Sequence, residues 1–284
     1  VVLDAAEEAI AAYVHPDGEP GDPQRDRRQR GPDAQHLTGW SADWARTEGA
    51  PHNALLHARL SIIDLSTVAN QPMCNEDQSA YTVYNGEFFD FPEKRAGLVS
   101  RGHVLHTHCD TEIIPHLWEE SHEGMFARMR GQFAVALYDV TRHQLTLGRD
   151  RFGISPLYWT RQGDWLLFAS EIKGLLASGM VTAKPDLRGI DHVFTFAAMP
   201  GPVTCFEGIQ MLRPGHCLKI TPGNEASIQE RAYWEMDFPN AGEENPESEQ
   251  RKIVDEFEQL LLQAVDKRLR ADVPVGAYLS GGLD

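Results

Sequence analysis

Short runs of alternating large apolar and small or polar residues recur through the first two thirds of the chain and predict β-strands. Residues 81–84 show the pattern most clearly, because their β-branched and aromatic side chains favour a pleated, half-buried surface. Similar strand-like runs occupy residues 56–64, 104–108, 133–138, 144–148, 166–169 and 273–279. Helical patterns occupy residues 4–13, 93–100, 111–120, 187–196 and 250–270. Many short strands with a few helices predict an antiparallel sandwich.

The strand at residues 81–84 leads directly into Asn85-Gly86-Glu87, and this stretch has two interpretations. Asn-Gly between apolar runs is a strong signal for a hairpin turn. In the other interpretation the strand stops at a reactive edge. There a side-chain amide, an unshielded backbone N–H and a carboxylate would lie side by side.

Two neighbouring stretches favour a functional site. Arg59 stands among apolar residues of a strand-like run, and a half-buried arginine requires a carboxylate partner. Asp64 and Asp110 are candidates for a purely structural ion pair with it. Asp110 also stands at the start of a helical pattern, where it could cap the helix, and Glu87 could be a solvated carboxylate.

Composition excludes several classes of protein. The 284 residues suffice for one large domain or two ordinary ones. A net charge of −16 argues against nucleic acid or an anionic membrane surface as the main partner. The four cysteines show no metal-binding spacing, and no apolar run approaches the roughly 20 residues that span a bilayer. We therefore predict a cytoplasmic protein.

One local run suggests a metal site, but only superficially: His103, His106, His108, Cys109, Asp110 and Glu112. On a strand, His106, His108 and Asp110 would share a face. The run lacks a second pair of ligands elsewhere, so we predict no metal site here. Cys74 and Cys109 are interpreted as small apolar fillers.

The chain resembles the class II glutamine amidotransferases, most closely the asparagine synthetase family, over almost its whole length. The motifs that carry this resemblance occur in the family's order. They are Arg30-Gly31-Pro32-Asp33, the run around Arg59, Gln71-Pro72-Met73, Asn85-Gly86-Glu87, Asp110-Thr111-Glu112, residues 149–154, residues 169–173 and Ser280-Gly281-Gly282-Leu283-Asp284.

The resemblance implies an α+β fold. Its main part is the four-layer αββα sandwich of N-terminal nucleophile hydrolases, followed by the first helix and strand of an α/β ATP pyrophosphatase domain. We expect a glutaminase domain at residues 1–232, an acidic and proline-containing linker at residues 233–247, and the opening of an ATP-binding domain at residues 248–284.

The same resemblance assigns roles to individual residues. Asn85 and Gly86 would form the oxyanion hole, and Arg59 would bind the α-carboxylate of glutamine. Glu87 and Asp110 would hold its ammonium group, with Ile62 and Ile63 as further glutamine contacts. ATP would contact Leu279, Ser280, Gly281, Gly282 and Asp284, because a glycine-rich turn after a strand presents backbone N–H groups to an anion.

In the whole enzyme the resemblance implies ATP- and Mg²⁺-dependent synthesis of asparagine from aspartate, with ammonia released from glutamine. The alternatives are another acceptor carboxylate, a β-lactam-synthetase-like ligase with a degenerate glutaminase domain, and a non-enzymatic binding module. Whether the protein forms a homodimer is left undecided. The family's nucleophile is an N-terminal cysteine that this sequence does not contain. We therefore expect the chain as given to lack glutaminase activity.

Overall fold

The computed structural model describes residues 54–163, 165–221, 227–242, 250–277 and 281, together with the backbone of residues 9–15, 37–41 and 52–53. The strands in these ranges are β1 (Ala9–His15), β2 (Leu37–Ser41), β3 (His52–Ala58), β4 (Met73–Cys74), β5 (Ala80–Phe88), β6 (Gly131–Asp139), β7 (Gln144–Arg149), β8 (Tyr158–Gln162), β9 (Trp165–Ala169), β10 (Gln210–Met211), β11 (His216–Thr221) and β12 (Ser227–Ala232). The α-helices are α1 (Phe91–Ser100), α2 (Ile113–Ser121), α3 (Ile172–Ala177), α4 (Leu187–Phe196) and α5 (Gln250–Arg268). Short 3₁₀ helices span Thr67–Ala69 and His122–Arg128.

The strands form two six-stranded sheets whose named strand pairs are all antiparallel. The first has the order β10-β8-β9-β1-β3-β2, and the second has the order β12-β11-β7-β6-β5-β4. Residues from both sheets share one buried cluster, which includes Leu55, Val83, Ala136 and Phe168. The sheets therefore pack face to face, with this cluster between them.

Alternation along β5 and β6 builds the next layer. Val83 belongs to the cluster between the sheets, whereas its neighbour Tyr84 packs with Ile114 and Trp118 of α2 on the opposite face. Leu98 of α1 is buried in the same helix-side cluster. Since both faces of β6 are covered, its sequence reads as a nearly continuous apolar run.

A third cluster lies on the outer face of the first sheet. Leu56 of β3 and Leu167 of β9 pack there against Leu175 of α3. Helices thus cover the outer faces of both sheets. The four-layer αββα sandwich that the resemblance implied is confirmed.

The first segment of the chain differs from the prediction. The helical pattern at residues 4–13 is wrong where the structure describes it, because Ala9–His15 forms a strand and residues 4–8 lie outside the described residues. This strand pairs with β3 on one side and β9 on the other. Pairing along both edges outweighs the high intrinsic helix propensity of the alanines in this segment.

The predicted strand at residues 104–108 is also wrong, because this segment is irregular. Its backbone bonds to carboxylates instead of to a neighbouring strand. The Val104 N–H donates to Glu76 Oε1 at 2.6 Å, and the N–H groups of His106 and Thr107 donate to Glu112 at 2.5 and 2.8 Å. Two glutamates thereby replace a strand partner.

The C-terminal part agrees with the sequence only for its helix. α5 forms as predicted, but its apolar residues are exposed: Phe257 is 63% and Leu260 57% exposed. Residues 273–277 of the predicted strand are not extended into a ladder, and Val275 is 50% exposed. Residues 278–280 and 282–284 lie outside the described residues, as does the Arg30-Gly31-Pro32-Asp33 motif. Within the described ranges, no helix has both the length and the apolar character to cross a membrane.

The loop after β7 is organised around Asp150, which is 1% exposed. Its carboxylate accepts hydrogen bonds from the backbone N–H groups of Phe133, Phe152, Ile154 and Ser155 at 3.0–3.1 Å. A single side chain thus ties the loop to the start of β6.

We predict that Asp150→Ala destabilises the fold by about 3 kcal/mol, because several backbone donors lose a charged acceptor in a buried site. Chemical denaturation should show this loss. The matched control is Asp191→Ala, which removes an exposed carboxylate from α4 and should leave stability almost unchanged. Equal stability of the two variants would contradict the role of Asp150.

Candidate active site

Strand β5 passes unbroken through Asn85-Gly86-Glu87. These residues pair in register with Ala134, Phe133 and Gln132 of β6, so the strand neither turns in a hairpin nor stops there. The predicted hairpin is therefore wrong, and so is the prediction that the strand stops at Asn85-Gly86-Glu87. The reason is that β6 offers a continuous partner as far as Gly131, which outweighs the local turn preference of Asn-Gly.

Gly86 is required at its position by a close approach of backbone. A Cβ atom there would lie 2.0 Å from the carbonyl oxygen of Gln132 and 2.7 Å from Cα of Phe133. No side chain fits without separating β5 from β6.

On the edge of β5 that faces away from β6, backbone groups form hydrogen bonds with side chains. Gln71 accepts from the Tyr84 N–H at 2.6 Å and donates to the Tyr84 carbonyl at 3.1 Å. The Phe88 N–H donates to Asp110 Oδ2 at 3.0 Å. Because alternate residues of a strand direct their backbone groups to the same side, the Gly86 N–H points between these two positions.

Arg59 follows β3 directly and is only 6% exposed. Its guanidinium donates to the carbonyl oxygens of Ile63 and Ser66, each at 2.9 Å, and to the carbonyl oxygen of Asp64. It also donates to Asn70 Oδ1 at 3.4 Å. These bonds wrap residues 63–66 around the arginine.

The structural alternative for Arg59, an ion pair, is not found among the described residues. Asp64 gives Arg59 its backbone carbonyl, while its carboxylate accepts from Ser66 and from the His108 N–H. Asp110 bonds to Phe88 and Cys109. The positive charge of Arg59 is thus buried against carbonyl and amide oxygens.

One cleft gathers most of the predicted glutamine contacts. It is lined by Arg59, Leu60, Ile62, Ile63, Gln71, Gly86, Glu87, Cys109, Asp110 and Thr111. Six of the seven residues predicted to bind glutamine or its oxyanion therefore meet there, although they come from three separate stretches of the chain.

Asn85 is the remaining residue, and its side chain points elsewhere. Asn85 Nδ2 donates to Ser170 Oγ at 3.2 Å, at the end of β9 in the opposite sheet. The start of β1 lies at the same end, because Ala9 pairs with Ala58 and Ala11 with Ala169. Asn85 therefore lies near the end of the sheet at which β1 begins.

The two carboxylates of the cleft are destabilised as anions. Burial raises the pKa of Asp110, against the opposing hydrogen bond from Phe88. Burial also raises the pKa of Glu87, and the nearby Asp110 adds to this while Arg268 opposes it. His57, one residue before Ala58, is fully buried, and its pKa is lowered by burial to about 3. It stays neutral and adds no cation beside Arg59.

Cys74, Cys109 and Cys217 are unsuited to nucleophilic attack. Burial raises the pKa of Cys109 to about 12 and that of Cys217 to about 11, and it also raises the pKa of Cys74. Their thiols therefore stay protonated at neutral pH.

Two contributors were missed by sequence reasoning. Gln71 and Ser170 belong to quoted motifs, but no pattern signals that Gln71 bonds the edge of β5 or that Ser170 meets Asn85. Of the predicted ATP contacts, Leu279, Ser280, Gly282 and Asp284 lie outside the described residues, and Gly281 is exposed.

The C-terminal segment reaches the rim of the cleft. The Asp272 N–H donates to the Ile62 carbonyl at 2.9 Å, and Asp272 Oδ2 accepts from the Asp64 N–H at 2.7 Å. Arg270 donates to the Phe89 carbonyl at 2.7 Å, just after β5. The carbonyl oxygens of Ile62 and Ile63 are thus both engaged by the protein, by Asp272 and by Arg59.

Comparisons with known proteins agree with this geometry. The family profile described as glutamine amidotransferase domain matches residues 22–234, and the one described as asparagine synthase matches residues 256–284. "Asparagine synthetase [glutamine-hydrolyzing] 3" of Bacillus subtilis is 34% identical over 267 residues, which cover 90% of this chain and 39% of that protein. "Amidase chry2" of Gibberella zeae is 38% identical over 258 residues, which cover 90% of this chain and 36% of that protein. The chain thus spans less than two fifths of the length of these relatives.

Among solved structures, one described as the allosteric regulatory enzyme of purine biosynthesis aligns with 80% of this chain and 43% of its own. Its TM-score is 0.48, and its sequence identity is 16%.

Two antiparallel sheets packed face to face between helices, with a cleft at one end of the sheets, define a fold of the N-terminal nucleophile hydrolase type. Within that class, the family profile and the relatives are decisive. The chain belongs to the class II glutamine amidotransferases.

We predict that Gly86→Ala destabilises the fold by about 3 kcal/mol, because the added methyl group would collide with the backbone of β6. Gly97→Ala is the matched control. It places the same methyl group inside α1, where the nearest atom is the end of the flexible Arg101 side chain at 3.1 Å. That variant should gain about 0.5–1 kcal/mol. Thermal unfolding of both variants checks the prediction, which fails if the two changes have the same sign.

We predict that Asp110→Asn raises the melting temperature at neutral pH. The pKa of this carboxyl group is higher in the folded than in the unfolded state, so its ionisation costs stability above the folded pKa. The cost disappears as the pH falls below the unfolded value, and the difference between wild type and variant should shrink accordingly. Asparagine keeps an oxygen for the Phe88 N–H. Melting curves at several pH values test this, with the exposed Asp255→Asn as the control. A difference that grows towards low pH would contradict it.

Proposed function

We propose that the cleft between β3 and β5 binds L-glutamine, and that the whole protein transfers the amide nitrogen to an acceptor carboxylate. The observation that carries this proposal is the arrangement of the charged side chains in the cleft. Arg59 is buried against oxygens that carry no full charge, in the same cleft as the carboxylates of Glu87 and Asp110. A ligand with one anionic and one cationic group complements this arrangement.

The α-amino-acid end of glutamine has these two groups. Its α-carboxylate would bind near Arg59, and its ammonium would be held by Glu87 and Asp110. An ammonium between two carboxylates also relieves the mutual repulsion that, together with burial, raises the pKa of Glu87. The charge pattern therefore favours an amino acid over a simple amide or a dicarboxylate.

Hydrolysis of the side-chain amide requires donors for the developing oxyanion. The Gly86 N–H points to the cleft side of β5, and the neighbouring Asn85 Nδ2 could leave Ser170 to donate to the same oxygen. In this family the nucleophile is an N-terminal cysteine whose own α-amine acts as base. The register of β1 supports this mechanism, because it pairs Ala9, at the start of β1, with Ala58, which directly precedes Arg59.

The thiolate would attack the amide carbon of glutamine and form a tetrahedral oxyanion. Collapse of this intermediate releases ammonia and leaves a thioester, which water then cleaves to glutamate. The described residues contribute the positioning of the substrate and the stabilisation of the oxyanion.

For the acceptor we propose aspartate, activated by ATP with Mg²⁺ and converted to asparagine. This rests on the asparagine synthase profile at residues 256–284 and on the Bacillus relative's name. The backbone N–H groups of residues 279–284 would hold the phosphates of ATP, and ATP would supply the activation of the acceptor carboxylate. A different acceptor carboxylate is the second candidate, favoured by the fungal relatives named as amidases.

We predict that Arg59→Ala weakens L-glutamine binding about 10- to 150-fold, which corresponds to the loss of roughly 1.5–3 kcal/mol from a charged hydrogen bond. Calorimetry should compare L-glutamine with its α-amide, which lacks the carboxylate charge. Because Arg59 also orders residues 63–66, part of its effect will fall on both ligands. The excess loss for glutamine isolates the carboxylate contact.

Arg59→Lys is the matched variant. It keeps the charge but loses the planar fork that holds several carbonyl groups, so it should recover only part of the glutamine affinity. Equal losses for glutamine and its α-amide in Arg59→Ala would show that Arg59 acts on the loop alone. Wild-type protein that binds neither ligand would overturn the proposal for the cleft.

For the acceptor, we predict that the full-length protein releases pyrophosphate from Mg²⁺-ATP in the presence of aspartate, with glutamine or ammonia as nitrogen source. Arg59→Ala should impair the glutamine-dependent reaction and spare the ammonia-dependent one, which bypasses the cleft. Pyrophosphate release that does not respond to aspartate would favour another acceptor carboxylate.

A further inference from the structure

A second cluster of chemically versatile side chains lies outside the glutamine cleft. It consists of Glu76, just after β4, His103 in the loop that follows α1, and His116 and Glu119 of α2. One donor atom from each residue lies within 4.8 Å of the donor atoms of the other three. His116 and Glu119 share a face of α2 because they are three residues apart.

The donor atoms converge on one point between the residues. His103 Nδ1 lies 3.3 Å from His116 Nδ1, and His116 Nδ1 lies 3.2 Å from Glu76 Oε2. His103 Nδ1 is 3.7 Å from both Glu119 Oε2 and Glu76 Oε1. The Nδ1 atoms of the two imidazoles thus face each other, both lie close to the carboxylate of Glu76, and that of His103 also lies close to Glu119.

The separations of 3.2–3.7 Å are close to the edges of a small tetrahedron, and the other donor pairs lie within 4.8 Å of one another. For zinc, with bonds of about 2.0–2.2 Å to nitrogen and oxygen, neighbouring donors in tetrahedral coordination lie about 3.3–3.6 Å apart. We propose that Glu76, His103, His116 and Glu119 bind a divalent transition metal ion, with Zn²⁺ as the best match. The donor set of two imidazoles and two carboxylates is one that zinc accepts.

The surroundings orient the ligands, as in known metal sites. The Val104 N–H donates to Glu76 Oε1 at 2.6 Å, and Asn75 Nδ2 donates to Glu119 Oε2 at 3.4 Å. On the far side of the His103 ring, Nε2 lies 3.4 Å from Glu120 Oε1. Arg101 holds that glutamate through two guanidinium nitrogens. A carboxylate behind a histidine fixes the tautomer that presents Nδ1 to an ion.

The charge balance also favours a cation. Three carboxylates, those of Glu76, Glu119 and Glu120, meet at the two imidazoles, and Arg101 contacts only the outermost one. A divalent ion would offset the remaining negative charge.

The sequence alone argued against a metal because the run from His103 to Glu112 is local. Folding brings in Glu76, His116 and Glu119 and leaves the other histidines of the run aside: His106 is exposed, and the described contact of His108 is made by its backbone N–H. An ion at this cluster would tie α2 to the irregular loop that ends at Asp110.

The test is titration of the purified chain, without a histidine tag and after dialysis against a chelator, with Zn²⁺ alone. We expect one ion per chain by calorimetry. Co²⁺ in place of Zn²⁺ should give the intense visible absorption of a tetrahedral site. His103→Ala should weaken Zn²⁺ binding by about 100-fold or more, and Glu120→Gln, which alters only the outer residue, by about 10- to 100-fold.

His106→Ala is the matched control, since it removes a histidine from the same loop without touching the cluster. It should bind Zn²⁺ as tightly as the wild type does. Added Zn²⁺ should raise the melting temperatures of this variant and of the wild type by the same amount. Glu119→Gln keeps the shape of an exposed side chain, so it tests the site even if His103→Ala unfolds. No binding by the wild type, or binding that Glu119→Gln and His103→Ala leave unchanged, would overturn the proposal.

Discussion

The close packing of β5 against β6 at Gly86 is the constraint on which the candidate site depends. Because a Cβ atom at this position would lie 2.0 Å from the Gln132 carbonyl oxygen, the two strands can stay paired only over a glycine. Their unbroken register then fixes the direction of every backbone group along the other edge of β5. Tyr84 meets Gln71, Phe88 meets Asp110, and Gly86 lies between them facing the cleft.

Side chains take the place of a neighbouring strand along this edge. β4 pairs with β5 only at Thr82 and Tyr81. Beyond that point the side chains of Gln71 and Asp110 form hydrogen bonds with the backbone of β5. An edge strand finished in this way is protected from pairing with other chains. It also places the cleft where a further strand would otherwise pair with β5.

The sandwich was predictable because its strands carry local signals. Alternation at β5 and the apolar run of β6 follow from burial on one or both faces, and α2 carries a stripe of apolar residues at helical spacing. Two of the failures, at residues 4–13 and at Asn85-Gly86, have a common cause, which is pairing with distant residues. Ala9–His15 is a strand because β3 and β9 flank it, and Asn85-Gly86 is extended because β6 continues beside it.

The site was only partly predictable for the same reason. The roles of Arg59, Glu87 and Asp110 were assigned through the resemblance, which carries information about the folded family that local pattern lacks. That Arg59 binds carbonyl oxygens and not a carboxylate depends on the path of residues 63–66, which no periodicity encodes. The bond between Asn85 and Ser170 joins residues 85 positions apart, and only the packing of the two sheets brings them together.

Asp272 gives the loop at residues 62–66 a second attachment. Arg59 holds this loop from inside the cleft, and Asp272 holds it from outside by bonding both Ile62 and Asp64. This loop, which forms one wall of the cleft, is therefore held both by the sandwich and by the segment after α5. A shift of that segment must either carry the wall with it or break two hydrogen bonds. The same loop can thus transmit a movement of the segment after α5 to the wall of the cleft.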